Sequence, residues 1–165
     1  MSGSTAVHDM IDRTAISDVV IKYATALDRR DWGLMRSLLT DPVAIDYTSF
    51  DPALDLEMPA ADWIARIQDL EGFDATQHLS TNHVHTLMGD EAICVSYMQA
   101  GHFLKRSDGS FACFLYGHYT NRLIRTGEGW RIRKCTLTIT ASHGDSRVFE
   151  WVFGKAREAR AARGT

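Results

Sequence analysis

The chain has 165 residues and a net charge of −3; this length fits one domain, and the charge gives no reason to expect nucleic acid or an anionic membrane as partner. Its 45% hydrophobic and 24% charged residues are typical of a globular protein. No apolar run reaches the roughly 20 residues of a membrane-spanning helix, and the N-terminus lacks the basic start and apolar core of a signal peptide. Three isolated cysteines in apolar segments predict reduced core residues and a cytoplasmic location: Cys94, Cys113 and Cys135.

Apolar residues spaced at i, i+3 and i+4 predict helices in the first half of the chain. We expect a flexible leader over 1–10, then helices over 12–28, 32–39 and 60–70, with a short strand at 44–48. The first helix carries six apolar residues along one side: Ile16, Val19, Val20, Tyr23, Ala24 and Leu27. The second helix ends before Pro42 and the third begins after Pro59, because proline breaks a helix interior.

The second half of the chain has the pattern of β-strands joined by short polar turns that contain glycine. The predicted strands cover 78–87, 92–104, 111–125 and 130–141. Strands connected in this way form an antiparallel meander, with the helices on one face. We therefore predict a single α+β domain over 11–145, followed by a C-terminal helical tail over 146–165.

A small-residue face on the second of these strands predicts an apolar pocket. The even positions of that strand are Ala92, Cys94, Ser96, Met98, Ala100 and His102. Small side chains on a curved sheet leave room for a ligand beneath the helices, as in many small-molecule sites. The candidate wall and mouth residues are Tyr23, Met98, Tyr119, Phe149 and Phe153.

Asp28 is the main candidate for chemistry, because it follows the apolar stripe at a position that faces the interior. Partial burial and the helix C-terminus should both raise the pKa of its carboxyl group. Such an aspartate usually has a protonatable partner, and His78 and His102 lie in apolar strands. The alternative is a helix-terminal aspartate that pairs with a neighbouring arginine, although Asp31 is the better N-cap for the next helix.

His78, His102 and Tyr47 complete the candidate set. An aspartate beside His78 would fix its tautomer and stabilise the imidazolium form, which leaves the other ring nitrogen to take a proton. His102 is a second donor to substrate, and Tyr47 is a phenol that can stabilise a developing enolate. The alternative for each is a structural residue packed in the core.

His78, His83 and His85 raise the possibility of a metal site, which we do not predict. His83 and His85 share a face of a regular strand, whereas His78 has the opposite parity. No acidic residue stands at a familiar ligand spacing. The glycine pairs are typical of hairpin turns and form no phosphate-binding or dinucleotide pattern.

Several short segments resemble the scytalone dehydratase family, within the SnoaL-like group of NTF2-like proteins. They are Leu27-Asp28-Arg29-Arg30-Asp31-Trp32, Ile45-Asp46-Tyr47-Thr48-Ser49-Phe50, Thr76-Gln77-His78, His118-Tyr119-Thr120-Asn121 and Gly129-Trp130, with His102 as a weaker match. The resemblance covers about residues 15–140. It implies a cone-shaped α+β fold in which a curved antiparallel sheet and N-terminal helices enclose the pocket.

The resemblance also implies roles for individual residues. Asp28 and His78 would form a dyad with His78 as general acid–base, and Tyr47 would hold the substrate carbonyl. His102 and Asn121 would position the substrate. Phe50 would pack on it, with no cofactor required.

Two departures from the family leave the substrate open. The family has a tyrosine where this chain has Leu27, and a serine where it has Tyr119. We therefore expect a cofactor-free lyase, a dehydratase acting on a small hydroxylated cyclic or aromatic compound. Isomerisation or retro-aldol-type cleavage by the same dyad, and a non-catalytic ligand-binding module, are the alternatives. We also expect self-association as a dimer or trimer.

Overall fold

A computed structural model describes residues 3–163 of the chain. In chain order the elements are α1 (Gly3–Arg29), α2 (Trp32–Leu38), β1 (Leu39–Asp46), β2 (Asp55–Met58), α3 (Ala60–Ile67), a 3₁₀ helix (Gln68–Gly72), β3 (Ala75–Met88), β4 (Glu91–Arg106), β5 (Gly109–Thr126), β6 (Gly129–Gly144) and α4 (Arg147–Arg163). None of the described helices is long and apolar enough to cross a membrane.

The strands form one curved, unclosed six-stranded sheet in the order β2-β1-β6-β5-β4-β3. All neighbours are antiparallel except β1 and β6, which run parallel. The helices α1, α2 and α3 pack on one face, and the core lies between them and the sheet. The predicted α+β fold is confirmed, and the four-stranded meander β3–β6 follows the predicted order.

The first helix begins earlier than its apolar stripe indicates. Residues 3–10, predicted as part of a flexible leader, form the first turns of α1; residues 1 and 2 lie outside the described residues. The apolar stripe marks only the part of the helix that packs on the sheet, and Val7 and Met10 in the earlier turns are exposed. No proline interrupts this stretch, so helical geometry continues past the packed turns.

Other boundaries differ for similar reasons. The strand β2 was predicted as loop, because it is a short edge strand between two prolines that pairs only with β1. The third helix was predicted to reach Leu70, whereas α3 ends at Ile67 and a 3₁₀ helix follows. The hairpin strands extend beyond their apolar cores, because hydrogen-bond pairing continues into the polar turns.

A bulge in β3 determines which of its side chains face the helices. The register with β4 shifts between Thr81 and Val84, and Asn82 has a φ of 54°. Even-numbered residues point inward before the bulge, and odd-numbered residues point inward after it. The expected opposite parity of His78 and the pair His83 and His85 was therefore wrong: all three imidazoles lie on the inner face.

Candidate active site

Asp28 and His78 are in direct contact at the end of α1. The Nδ1 of His78 lies 2.6 Å from Oδ1 of Asp28, and the His78 backbone N–H donates to Oδ2 at 2.7 Å. Because the carboxylate can only accept, Nδ1 carries the proton and Nε2 is the free nitrogen. The hydroxyl of Thr76 donates to Oδ1 at 3.0 Å, so three donors hold the carboxylate in place.

Arg30 supports this arrangement from behind. Its guanidinium donates to the Thr76 hydroxyl at 2.8 Å and to the carbonyl oxygens of Leu27 and Leu70. Arg30 itself adopts a positive φ of 57° directly after α1. The cation therefore bonds backbone groups at the end of α1 and at the 3₁₀ helix, and it does not bond Asp28 as the arginine-pairing alternative would require.

The pKa of Asp28 is lowered, which corrects the sequence-based expectation. Burial raises the pKa of this carboxyl group, as expected, but the hydrogen bonds from the side chain and backbone of His78 and from Thr76 outweigh it. The expectation failed because it counted burial and the helix C-terminus but not the hydrogen bonds that β3 donates. These hydrogen bonds therefore hold Asp28 as a carboxylate at neutral pH.

His102 is a buried, neutral imidazole beside the dyad. Its ring centroid lies 5.6 Å from that of His78 and 4.8 Å from that of Phe149. Burial, together with the neighbouring His78, lowers the pKa of His102 to about 3. Its Nδ1 is buried and has no hydrogen-bond partner among the described residues.

Tyr47 lies within a group of phenols. Its hydroxyl is 2.9 Å from the Tyr23 hydroxyl and 3.5 Å from Sγ of Cys135. Burial raises the pKa of both tyrosines well above the ordinary value, so both remain protonated hydrogen-bond donors. The sequence did not show that Tyr23 and Tyr47 would meet, since they lie on different elements.

A cavity of about 400 Å³ joins these groups. Nine of the eleven predicted site residues line it: Tyr23, Tyr47, Phe50, His78, Met98, His102, Tyr119, Phe149 and Phe153. Asp28 lies behind His78. Phe50 meets Phe149 and Phe153 edge to face, with ring centroids 5.3 and 6.0 Å apart. The cavity therefore has a mainly apolar wall of aromatic and aliphatic side chains. Its polar groups are the imidazoles, the phenols and four charged residues, Asp51, Arg66, Asp69 and Arg157.

Asn121 is the remaining predicted residue, and it does not line the cavity. It lies two positions beyond Tyr119 on the inner face of β5, is buried, and its Oδ1 has no partner among the described residues. Sequence reasoning missed Trp63, which lines the cavity with its ring centroid 5.2 Å from that of Tyr47. The signal was present, since Trp63 lies on the apolar side of α3.

The comparisons with known proteins place the chain in a family. Residues 8–136 match the SnoaL-like domain, so the chain belongs to that family of NTF2-like proteins. The predicted resemblance is therefore confirmed. Scytalone dehydratase arp1 of Aspergillus fumigatus is 31% identical over 72 residues, and this match covers 41% of the chain and 43% of the relative. The matched part is less than half of that relative's length.

Solved structures share the fold over most of the chain. The Kfla4162 protein from Kribbella flavida is 30% identical, with a TM-score of 0.78 over 82% of this chain and 95% of that one. The hexachlorocyclohexane dehydrochlorinase LinA-type3 from Novosphingobium barchaimii LL02 is 14% identical, with a TM-score of 0.69 over 86% of this chain and 94% of that one. At 14% identity the likeness shows the fold alone.

Proposed function

We propose that the protein is a cofactor-independent lyase, a dehydratase that acts on a small hydroxylated cyclic or aromatic compound. The observation that carries this proposal is the contact of 2.6 Å between Asp28 and His78, in which the imidazole lines the cavity and the carboxylate lies behind it. A protein that only binds a ligand has no need of a base oriented in this way.

The dyad supports a two-step elimination. Nε2 of His78 takes the proton from the carbon next to a carbonyl, and the electrons of that C–H bond form an enolate. The enolate then reforms the carbonyl as the C–O bond at the β carbon breaks. The departing hydroxide takes the proton back from Nε2 and leaves as water. Asp28 stabilises the imidazolium between these steps without changing its own protonation state.

The phenols supply the electrophilic side of the site. A substrate carbonyl held by the Tyr47 hydroxyl would gain a stronger hydrogen bond as its oxygen becomes an enolate. Tyr23 donates or accepts within the same pair, 2.9 Å away, and so orients that hydroxyl. Neutral His102 lines the cavity next to His78, which supports its role in positioning the substrate.

The cavity wall supports the substrate class. Most of its surface comes from aromatic and aliphatic side chains, which favour a flat ring with few polar groups. Two similar proteins bear the names of a dehydratase and a dehydrochlorinase. Both names describe the loss of a small molecule from a substrate, which is the reaction class proposed here.

An ultraviolet difference assay tests the proposal without added metal or cofactor. Cyclic β-hydroxy ketones and phenolic alcohols are offered to the wild type, to His78→Ala and to His118→Ala. His118 lies on the outer face of β5, opposite Tyr97, and is the matched control. We expect new conjugation absorbance with the wild type and with His118→Ala, and a rate lower by about 100-fold or more in His78→Ala.

The other outcomes decide between the alternatives. Turnover without new conjugation, detected by mass spectrometry, would indicate isomerisation or retro-aldol-type cleavage by the same dyad. Ligand binding without turnover, equal in wild type and His78→Ala, would overturn the enzyme proposal and favour a binding module.

Self-association is a second proposal, supported by the outer face of the sheet. Leu79, Val84 and Tyr97 are large apolar residues exposed on that face. Exposed apolar groups of this kind often mark contacts between proteins. Light scattering should give the mass of a dimer or trimer, and the mass of a single chain would contradict the proposal.

A further inference from the structure

A second cluster of imidazoles lies under the middle of α1, away from the cavity. The bulge at Asn82 turns His83 and His85 toward the helix, on the same face as Cys94 of β4. The ligand atoms of these three residues lie within 4.8 Å of one another. None of the three lines the cavity, and Asp28 is about 16 Å from the level of Ser17 along α1 at 1.5 Å per residue.

We propose that His83, His85 and Cys94 form a binding site for a divalent cation of the Zn²⁺ class. Zinc prefers nitrogen and sulfur ligands such as two imidazoles and one thiolate. Calcium and magnesium instead take oxygen ligands. In a tetrahedral zinc site the donor atoms are about 3.3–3.8 Å apart. A closure of about 1 Å, within reach of side-chain rotation, would therefore bring the three donors into the first coordination shell.

Ser17 shows where the donors converge. Its Oγ lies 2.9 Å from Nδ1 of His83 and 2.9 Å from Nε2 of His85, so both nitrogens point to one place between α1 and β3. A cation there would replace the hydroxyl as the shared partner of the two rings. The fourth coordination position then falls to the Ser17 hydroxyl or to water.

Two buried polar residues next to Cys94 in the sheet also have a side-chain oxygen that lacks a hydrogen-bond partner within the described part of the chain. Asn121 pairs with Cys94 across β4 and β5, and Ser96 is the next inward residue on β4. Both are at least 98% buried, yet Oδ1 of Asn121 and Oγ of Ser96 have no hydrogen-bond partner among the described residues. Buried polar atoms are normally satisfied, so the sheet beside Cys94 has unused hydrogen-bonding capacity that a polar ligand could use.

The chemistry of binding is a simple exchange. The cation displaces the proton of the Cys94 thiol and is held by one Sγ and two ring nitrogens, with no change in oxidation state. Such a site would tie α1 to β3 and β4 and stabilise the folded chain. This inference does not depend on the proposed lyase activity.

Titration of the metal-free protein with Co²⁺ tests the site, because a thiolate ligand adds a charge-transfer band that histidine ligands do not give. We expect that band in the wild type, in Cys113→Ala and in Cys135→Ala, and its loss in Cys94→Ala. Zn²⁺ should displace the Co²⁺ and raise the thermal midpoint. Loss of either His83 or His85 should weaken Zn²⁺ binding by more than about 10- to 100-fold, the loss typical of an outer-shell partner.

The two control cysteines keep the test decisive if Cys94→Ala does not fold. A band that persists in both Cys113→Ala and Cys135→Ala leaves Cys94 as its source. No thiolate band in the wild type, or a band that disappears in either control variant, would overturn the proposal.

Discussion

Two polar clusters lie beneath α1, and both use imidazoles from β3. At the end of the helix, His78 meets the carboxylate of Asp28 and lines an open cavity. Near the middle of the helix, His83 and His85 meet the hydroxyl of Ser17 and the buried Cys94, with no carboxylate among the three candidate ligands. We therefore propose different chemistry for the two clusters according to the partner of the imidazoles: the carboxylate makes His78 a base, whereas the thiol makes His83 and His85 part of a ligand set.

The largest expected effect on the elimination rate comes from replacing Asp28, the carboxylate that contacts His78. Asp28→Asn removes the charge that stabilises the imidazolium form of His78 and no longer fixes its tautomer. We expect the elimination rate to fall by about 10²- to 10⁴-fold, the range typical of general acid–base catalysis. The rate is measured with the compound that the ultraviolet assay identifies.

Asp18→Asn is the matched control for this change. Asp18 lies on the same helix, is exposed, and pairs with Lys22 at 3.6 Å. Its rate should stay within about twofold of the wild type, because a surface ion pair of this kind contributes little. An equal loss in both variants would mean that Asp28 acts on the helix and not on His78.

The second prediction tests the contribution of the Tyr47 hydroxyl to kcat separately from that of Asp28 and His78. Tyr47→Phe keeps the ring but removes the hydroxyl that bonds Tyr23. We expect kcat to fall by about 10²- to 10³-fold, the loss typical of one oxyanion donor. Tyr97→Phe, on the exposed outer face, should leave kcat unchanged. A change in KM alone would show that Tyr47 binds the substrate without stabilising the transition state.

Much of this arrangement follows from sequence, but only where one element decides the outcome. The helical spacing placed Asp28 on the inner side of α1, and alternation along β4 identified its buried face. The predicted direction of the Asp28 pKa shift was wrong, because the hydrogen-bond donors to its carboxylate come from β3, far away in sequence. The meeting of Tyr23 with Tyr47 likewise depends on how α1 packs against β1.

The bulge in β3 shows a second limit of sequence reasoning. Alternation alone gave His78 and His83 opposite faces, and one extra residue reversed that assignment. Asn82 tolerates a positive φ, but nothing in its neighbours requires one until β3 pairs with β4. The same limit applies to Asn121, whose place outside the cavity wall depends on the packing around β5.

The third prediction concerns the neutral His102. In the unfolded chain its pKa is about 6.5, whereas burial lowers the folded pKa to about 3. Below about pH 6.5 the unfolded state therefore binds a proton that the folded state does not. The free energy of unfolding consequently decreases as the pH is lowered. When the pH is lowered from 7 to 5, protonation of His102 in the unfolded chain should decrease the free energy of unfolding by about 2 kcal/mol.

Urea unfolding of the wild type and His102→Gln at both pH values measures that cost. Burial also lowers the pKa of His83 and His85, so part of the wild-type loss comes from the second cluster. The change between the two pH values should nevertheless be smaller in the variant by about 2 kcal/mol. Equal changes in the two proteins would show that His102 keeps an ordinary pKa in the fold.

The smallest expected effect is at the residue that separates the two clusters. Asn82 is exposed and has a φ of 54°, so its side chain contributes little beyond tolerance of that backbone conformation. Asn82→Val should lower the free energy of unfolding by about 1 kcal/mol, because a β-branched residue is strained there, whereas Asn82→Gly should change it by only a few tenths. If valine were tolerated as well as glycine, the bulge would not depend on the left-handed conformation of this residue. The inward placement of His83 and His85 would then be determined by their packing under α1.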